Sequence, residues 1–162
     1  MNQIDREKIV SLEALLGSAS ASYTILTHEE TVTTAEDGAQ KGFGSLEVMA
    51  PTLILHCEDG FLSAIISGVS RLSYKKIKKE LGLKNVSLAS AEQIFALTGA
   101  QPGWVSLVNP GICTIVDSRL LAEEYVFGGC GVPKHTLRIR IEDLVSVTQA
   151  KVFDFTELKQ PA

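Results

Sequence analysis

Residues 98–117 of the chain read TGAQPGWVSLVNPGICTIVD. Gly99 follows a helical pattern and predicts its end, because glycine readily takes the left-handed conformation that closes a helix. The glycines and prolines after it predict a loop that carries Trp104 and Ser106, and the apolar run that ends at Asp117 predicts a strand. This helix–loop–strand unit indicates a domain that mixes helices with strands.

The length and charge of the chain predict one globular domain over residues 1–162. A chain of 162 residues lies within the usual range of about 100–200 residues for one domain. Its formal net charge of −4 argues against a broad surface for DNA, because such surfaces are rich in Lys and Arg. The charge leaves room for a local basic patch.

Cysteine content and hydropathy predict where the protein works. The cysteines are odd in number and far apart, which favours reduced thiols over a disulfide framework or a metal site. The N-terminus lacks the apolar core of a signal peptide, and no apolar run approaches the ~18 residues that span a bilayer. We therefore expect a cytoplasmic protein with no membrane partner. The cysteines are Cys57, Cys113 and Cys130.

Apolar periodicity and capping residues predict the secondary structure. Helices are expected from a cap at Asp5 to Gly17, over Tyr74–Leu81, and from a capping box at Ser90–Gln93 to Gly99. A further capping box is expected at Thr33–Glu36. Strands are expected at 23–26, 46–57, 61–66, 86–88, 112–116, 124–127, 135–141 and 151–155, with a short helical turn at 141–144. The pattern predicts a single α+β domain with a mixed, mostly antiparallel β-sheet and flanking helices.

A basic run, RLSYKKIKKELGLK, occupies residues 71–84. If Tyr74, Ile77 and Leu81 face the core of a helix, the lysines between them face solvent. Such a face is either simply solvated or a patch that contacts phosphates without reading base sequence. The lysines are Lys75, Lys76, Lys78 and Lys79.

Glycine-rich loops are the next candidates for chemistry. Gly103, Val105 and Ser106 lie on a loop whose backbone N–H groups could stabilise an ester carbonyl as it gains negative charge. Gly128 and Gly129 could allow a ligand to approach the backbone closely. The alternatives are a plain connection at the first loop and a wide turn at the second.

The histidines and Cys130 carry weaker signals. His28, His56 and His135 have no metal-ligand spacing, so no metal and no cofactor are expected. His28 and His135 are candidates for lining a pocket, whereas His56 needs no role. Cys130 has no neighbouring charge that would activate its thiol, so a Cys130–His135 dyad is not expected.

An ordered set of segments spread over roughly residues 20–155 resembles the YbaK family. That family comprises free-standing relatives of the editing domain inserted in bacterial prolyl-tRNA synthetases. No single segment is decisive, and the order and spacing of the whole set carry the resemblance. The segments are THEETVTTAEDGA (27–39), TLIL (52–55), SYKKIKKELGLKNVSLAS (73–90), TGAQPGWVS (98–106), TIVDSRLL (114–121) and GGCGVPKHTLRIRIEDL (128–144).

The resemblance implies a metal-free deacylase that acts in trans on mischarged tRNA. The expected reaction is hydrolysis of the ester of a small amino acid (alanine, cysteine, serine or threonine), with tRNAPro as the expected tRNA. The expected partners are the acceptor end of tRNA and an aminoacyl-tRNA synthetase. Lys75, Lys76, Lys78 and Lys79 are the expected contacts to the tRNA backbone. The substrate-binding residues that the resemblance implies are His28, Thr52, Gly103, Val105, Ser106, Gly128, Gly129 and His135.

Two positions depart from the family pattern. Pro51 stands where the family carries a lysine thought to hold the terminal phosphate, and Leu107 stands where its loop closes with proline. Proline has neither a charge nor an N–H group, so it cannot replace an ammonium. The catalytic group is therefore not identified by the sequence, although Lys41 or Lys134 could supply a cation. The alternative is a catalytically silent relative that binds tRNA or a small aminoacyl-type ligand.

Overall fold

The computed structural model describes residues 1–159. It contains five α-helices and ten β-strands in this range. Residues 160–162 of the predicted domain lie outside the described residues. Two short 3-10 helices cover Leu46–Val48 and Ser118–Ala122. The helices are α1 (Gln3–Ser18), α2 (Ala35–Gln40), α3 (Tyr74–Leu81), α4 (Ala91–Thr98) and α5 (Ile141–Thr148). The strands are β1 (Tyr23–Thr27), β2 (Thr52–Cys57), β3 (Gly60–Ile65), β4 (Ser70–Leu72), β5 (Val86–Leu88), β6 (Cys113–Asp117), β7 (Tyr125–Gly129), β8 (His135–Arg140), β9 (Lys151–Phe153) and β10 (Thr156–Leu158).

The strands form one mixed sheet and two antiparallel sheets. The largest has the order β5-β2-β3-β6-β9, in which β6 runs parallel to β3 and β9 and the other pairs are antiparallel. The order β1-β8-β7 makes a three-stranded antiparallel sheet, and β4 pairs with β10. This arrangement confirms the predicted α+β domain with a mixed, mostly antiparallel sheet.

The main core lies between the three-stranded sheet and one face of the five-stranded sheet. Leu137 and Ile139 of β8 contribute to it from one side, and Ile65 and Val116 from the other. Leu16 of α1 closes the same cluster, as the predicted apolar stripe of that helix requires. The opposite face of the large sheet packs on α3, and α4 packs over Ile54.

Side-chain caps determine where several helices begin. Ser73 and Ser90 cap α3 and α4 as predicted, and Ser90 forms a full capping box with Gln93. Two predicted caps are wrong by a few residues. Asn2 caps α1, because its side chain accepts the N–H of the expected cap, Asp5. Thr34 rather than Thr33 caps α2.

The strand predicted over 46–57 begins only at Thr52. Residues Leu46–Val48 form a 3-10 turn, and Pro51 lacks the N–H group that a central strand residue donates. The helical turn predicted at 141–144 continues as α5 to Thr148. Within residues 1–159, no helix combines the length and apolar character that a membrane span needs.

Replacing Thr156 with valine should lower the stability of the fold. Asp117 is 1% exposed, and one of its carboxylate oxygens accepts a 2.7 Å hydrogen bond from the Thr156 hydroxyl. Thr156→Val leaves that buried oxygen without this donor, so we expect the free energy of unfolding to fall by about 1–3 kcal/mol. Urea denaturation at neutral pH measures it. Thr27→Val, the same change at an exposed strand position, is the control, and equal losses in the two variants would contradict the prediction.

Candidate active site

A cavity of about 170 Å³ opens where the two larger sheets meet. The start of β2, the end of β7 and the start of β8 form its walls together with α2 and the loop after α4. Phe43 and Met49 add apolar surface to it. The predicted substrate-binding residues that line it are Thr52, Gly103, Val105, Gly128, Gly129 and His135.

His28 stands behind this wall instead of in it. Its Nδ1 contacts the carbonyl oxygen of Glu30, and its Nε2 lies 3.0 Å from the hydroxyl oxygen of Thr136, which does line the cavity. A carbonyl oxygen only accepts hydrogen bonds, so Nδ1 carries a hydrogen and donates it. In the neutral ring, Nε2 then accepts the hydroxyl hydrogen of Thr136. His28 therefore positions Thr136.

Ser106 does not line this cavity. Its hydroxyl accepts the N–H of Val108 at 3.1 Å, and its carbonyl accepts the side-chain amide of Asn109 at 2.6 Å. These bonds shape the turn that leads from the loop into the next segment. Ser106 borders a second cavity of about 400 Å³ between α1 and the end of α4. We therefore leave it out of the proposed substrate contacts.

The cavity glycines are required by packing within the protein. A Cβ at Gly129 would lie 2.2 Å from the carbonyl oxygen of Val105, and one at Gly128 would lie 2.6 Å from the Leu107 side chain. Gly103 has φ of +102°, and its Cβ would lie 2.8 Å from the carbonyl oxygen of Thr33. The sequence predicted a close approach to the backbone at these glycines. In the structure the 103–107 loop makes this approach, to β7 and to the α2 region, and no ligand is needed to explain the glycines.

Leu107 makes the same contact from the loop side. Its side chain is fully buried, and its N–H donates to the carbonyl oxygen of Gly129 at 2.9 Å. A proline here has no N–H and could not make this bond. The departure at Leu107 therefore leaves the loop fixed against β7.

Two polar side chains in the wall keep unused hydrogen-bonding capacity. The Thr52 hydroxyl oxygen is buried and has no partner among the described residues. The Nδ1 of His135 donates to the carbonyl oxygen of Pro133 at 2.8 Å. Its Nε2 makes no hydrogen bond within residues 1–159. Buried polar groups in proteins are nearly always paired, so the Thr52 hydroxyl is a group in this wall to which a water molecule or a polar ligand can bind.

Comparison with known proteins shows the family to which this chain belongs. The family model described as an aminoacyl-tRNA editing domain matches residues 28–147. The chain belongs to this family. The matched range contains the whole cavity wall and ends within α5.

Relatives of this editing domain include proline–tRNA ligases and separate small proteins. The ligase of Caldicellulosiruptor bescii is 26% identical over 109 residues, which are 67% of this chain and 18% of the ligase. That of Thermosipho melanesiensis is 25% identical over 119 residues, 72% of this chain and 21% of the ligase. The chain thus spans about a fifth of the curated relatives it matches.

Two solved structures share the fold over nearly their whole length. A hypothetical protein superposes with a TM-score of 0.83 at 30% identity, covering 90% of this chain and 99% of that one. A candidate trans-editing enzyme for prolyl-tRNA synthetase superposes with a TM-score of 0.81 at 22% identity, covering 93% and 97%. At 22% identity, the second comparison shows a shared fold and nothing more.

The cavity wall of this editing domain includes no Lys or Arg among the described residues. Pro51 stands in the wall, and its carbonyl oxygen accepts the N–H of Ile66 at 3.2 Å. Lys41 is paired with Glu30, and the hydrogen bond from its ammonium lowers the pKa of that carboxyl. Lys134 is exposed. Neither lysine places its side chain in the wall.

The lysines of α3 differ in what they contact. Lys76 donates to the Asp154 carboxylate and, at 2.7 Å, to the carbonyl oxygen of Thr156, so it fastens α3 to β10. Its hydrogen bond to Asp154 lowers the pKa of that carboxyl. This pairing leaves 39% of the Lys76 side chain exposed, and its contact with RNA stays a prediction. Lys75, Lys78 and Lys79 form no ion pair within residues 1–159 and stay predicted RNA contacts.

Several cavity residues have no signal in the sequence alone. Thr136 and Phe127 lie on strands that were predicted, but nothing in one sequence shows which strand face meets the cavity. Phe43 and Met49 lie in the segment between α2 and β2, where the sequence predicted either no element or a strand. No three His, Cys, Asp or Glu side chains in the described part of the chain are placed to share a metal ion.

Thiol chemistry gives a direct check on the burial around the site. Cys113 is exposed, whereas Cys57 and Cys130 are buried, and burial raises the pKa of the Cys130 thiol to about 11. Thiolates are the reactive form, so Cys130 stays unreactive at neutral pH. We expect a chromogenic disulfide reagent to titrate one thiol in the native protein and three after denaturation in urea. Rapid reaction of a second thiol in the native protein, lost in Cys130→Ser, would contradict the burial.

Proposed function

We propose that the chain is a deacylase that acts in trans on mischarged tRNA. The bond broken would be the ester between a small amino acid and the 3′-terminal adenosine, with tRNAPro as the preferred tRNA. The family match and the proline–tRNA ligase relatives support the reaction class. The partnerless hydroxyl of Thr52 in the cavity wall is the observation that carries the proposal for this site. We also propose that it acts in the cytoplasm, because its substrate takes part in protein synthesis there.

The size of the cavity supports a small amino acid. Its volume of about 170 Å³ lies below the roughly 300–1,000 Å³ of pockets that hold drug-sized ligands. Val105, Phe127 and Met49 supply apolar walls, and Thr52 supplies one hydroxyl. Such a space suits the side chains of alanine, cysteine, serine or threonine.

The backbone of the loop supplies groups suited to ester hydrolysis. The N–H groups of Gly103 and Val105 have no acceptor within residues 1–159, and both residues line the cavity. Donors of this kind stabilise the negative charge that forms on the ester carbonyl oxygen. The loop is held by its contacts with β7 at Val105 and with Thr33 at Gly103, so these groups need little reorganisation when the charge develops.

His135 is the side chain we propose for proton transfer. Its Nδ1–H is held by the Pro133 carbonyl, which leaves Nε2 to accept a proton from water. The water oxygen would bond to the ester carbon, the bond from that carbon to the ribose oxygen would break, and the proton would pass to that oxygen. The products are the free amino acid and uncharged tRNA.

The absence of a cation from the described cavity wall favours a second function. Without an ammonium beside Thr52, the family's usual phosphate anchor is missing at Pro51. A catalytically silent domain that binds tRNA or a small aminoacyl-type ligand would need the cavity but not the anchor. The two functions differ in turnover and agree in binding.

Single-turnover deacylation by His135→Ala tests the enzyme directly. The substrates are tRNAPro charged separately with alanine, cysteine, serine, threonine and proline. We expect wild-type protein to cleave one or two of the small esters, and the variant to be about 10²-fold slower or more because it lacks a proton acceptor. His56→Ala is the matched control, because His56 is exposed on β2 and stacks on Phe61 away from the cavity.

Filter binding of the same tRNAs separates the two functions. Binding without turnover of any ester would support the silent domain. Turnover that is equally fast in His135→Ala and wild type would remove His135 from the mechanism.

Replacing Thr52 with valine should separate stability from activity. The hydroxyl has no partner to lose, and valine has nearly the same shape, so the free energy of unfolding should stay equal or rise by up to about 1 kcal/mol. The rate of deacylation at limiting substrate should fall roughly tenfold, because a substrate contact worth about 1–1.5 kcal/mol is lost. Thr52→Ser should retain most of the activity. A stability loss in Thr52→Val without a loss of activity would contradict this assignment.

A further inference from the structure

Two aromatic side chains and an arginine share the outer face of the three-stranded sheet. Side chains alternate along a strand, and Val126 of β7 and Leu137 of β8 point into the core. Tyr125 and Phe127 of β7 therefore lie on the opposite face, as does Arg138 of β8, which is the register partner of Phe127. We call Tyr125, Phe127 and Arg138 the aromatic–arginine face. All three side chains are half-buried.

Arg138 is held on this face by ring contacts. Its guanidinium carbon lies 3.7 Å from the centroid of the Tyr125 ring and 6.0 Å from that of Phe127. Within residues 1–159 its guanidinium forms no ion pair and no hydrogen bond, whereas the neighbouring Arg140 is paired with Glu124 at 3.1 Å. Arg138 is thus a positioned cation with its donors unused, a state suited to phosphate or to a planar base.

The aromatic–arginine face leads directly to the cavity. Phe127 belongs to both, and Phe43, another cavity residue, stacks on it with ring centroids 6.1 Å apart. The carbonyl oxygen of Phe127 accepts the N–H of Ala50, the residue before Pro51. Neighbouring strands are about 4.8 Å apart, so the backbone of Arg138 lies roughly 10 Å from the segment at Pro51.

We propose that the aromatic–arginine face binds the single-stranded 3′ end of RNA and guides it to the cavity. Arg138 binds a backbone phosphate near the terminal nucleotide, and a preceding base stacks on the surface that Tyr125 and Arg138 form. The identification of that RNA as the end of tRNA rests on the proposed deacylase. Arg138 would then supply from the neighbouring strand the positive charge that the cavity wall lacks at Pro51.

The chemistry of the face favours single-stranded RNA over other partners. Unpaired RNA is recognised by stacking of its bases on aromatic rings and guanidinium planes, together with cations for its phosphates. On this face the Arg138 guanidinium places a charge for a phosphate directly beside the Tyr125 ring, on which a base can stack. In a chain of net charge −4, a positioned arginine without a carboxylate partner is a local departure from the overall charge.

Fluorescence anisotropy with a 5′-labelled single-stranded RNA ending in CCA tests the proposal. We expect Arg138→Gln and Tyr125→Ala each to weaken binding about tenfold, since stacking of one base contributes about that much or more. Tyr125→Phe keeps the ring and loses only the hydroxyl contact with Ser22, so its affinity should match wild type. Arg138→Gln should also make the slope of log affinity against log salt less steep by about 0.7, the value for one phosphate contact on a single strand.

Arg71→Gln is the matched control for charge. Arg71 pairs with Glu157 on β4 and β10, so its loss removes the same charge elsewhere and should leave the affinity unchanged. The same RNA base-paired to its complement should bind more weakly than the single strand. Equal affinity of Arg138→Gln, Arg71→Gln and wild type, with native unfolding temperatures, would overturn the proposal. Weakening by Lys134→Gln instead of Arg138→Gln would overturn it as well.

Deacylation assays on the same variants separate this proposal from the proposed function. Loss of RNA affinity in Arg138→Gln, in a protein that cleaves no aminoacyl ester, would support the face and contradict the deacylase. Normal cleavage of charged tRNA by Arg138→Gln and Tyr125→Ala, with unchanged RNA affinity, would support the deacylase and contradict the face.

Discussion

The contact between the 103–107 loop and the end of β7 determines the shape of this molecule's site. Val105 approaches Gly129 so closely that no side chain fits between them, and Leu107 fills the space that a Cβ at Gly128 would take. The N–H of Leu107 adds a hydrogen bond to the same strand. Because β7 belongs to the three-stranded sheet and the loop leads into β6 of the five-stranded sheet, this contact joins the two sheets. The cavity lies beside this contact, and Val105, Gly128 and Gly129 form part of its wall.

Pro51 stands where the family resemblance implied a lysine. Its carbonyl still accepts the N–H of Ile66, and its neighbour Ala50 still bonds to β7, so the backbone path does not depend on the side chain at this position. This stretch of the wall therefore carries no charge, and its backbone is held by these two hydrogen bonds. In the proposal made above, Arg138 on the strand beside β7 supplies the cation. Proline at this position therefore affects the charge of the cavity wall more than it affects the fold.

Local patterns predicted the elements well and their contacts poorly. The α3 and α4 helices begin and end where their serine caps and glycines predicted, because caps act within one turn of the chain. At α2 the cap was off by one residue, because Thr33 and Thr34 are both able to cap and only packing selects one. The strand before Pro51 was predicted from an apolar run that includes Leu46 and Val48, and these two residues lie half-buried in a 3-10 turn instead.

The site was predictable as a set of positions, and the roles of its members were not. Thr52 and His135 line the cavity as the family resemblance implied, whereas the Ser106 hydroxyl turns back to its own loop. The glycines at 128 and 129 were expected to admit a ligand, and they admit another part of the chain. Whether a ligand or another segment of the chain approaches a glycine depends on long-range packing. A single sequence does not show that packing.

The parallel placement of β6 between β3 and β9 has a consequence for how the protein folds. Connecting parallel neighbours requires long crossovers, here from Ile65 to Cys113 and from Asp117 to Lys151. The cavity draws its walls from residues as distant in the chain as Val32 and Thr136, so contacts of large sequence separation must form before it exists. Folding of such topologies is slow compared with that of helical bundles. Because the cavity wall includes Thr136, a nascent chain can gain the site only after β8 has emerged and paired.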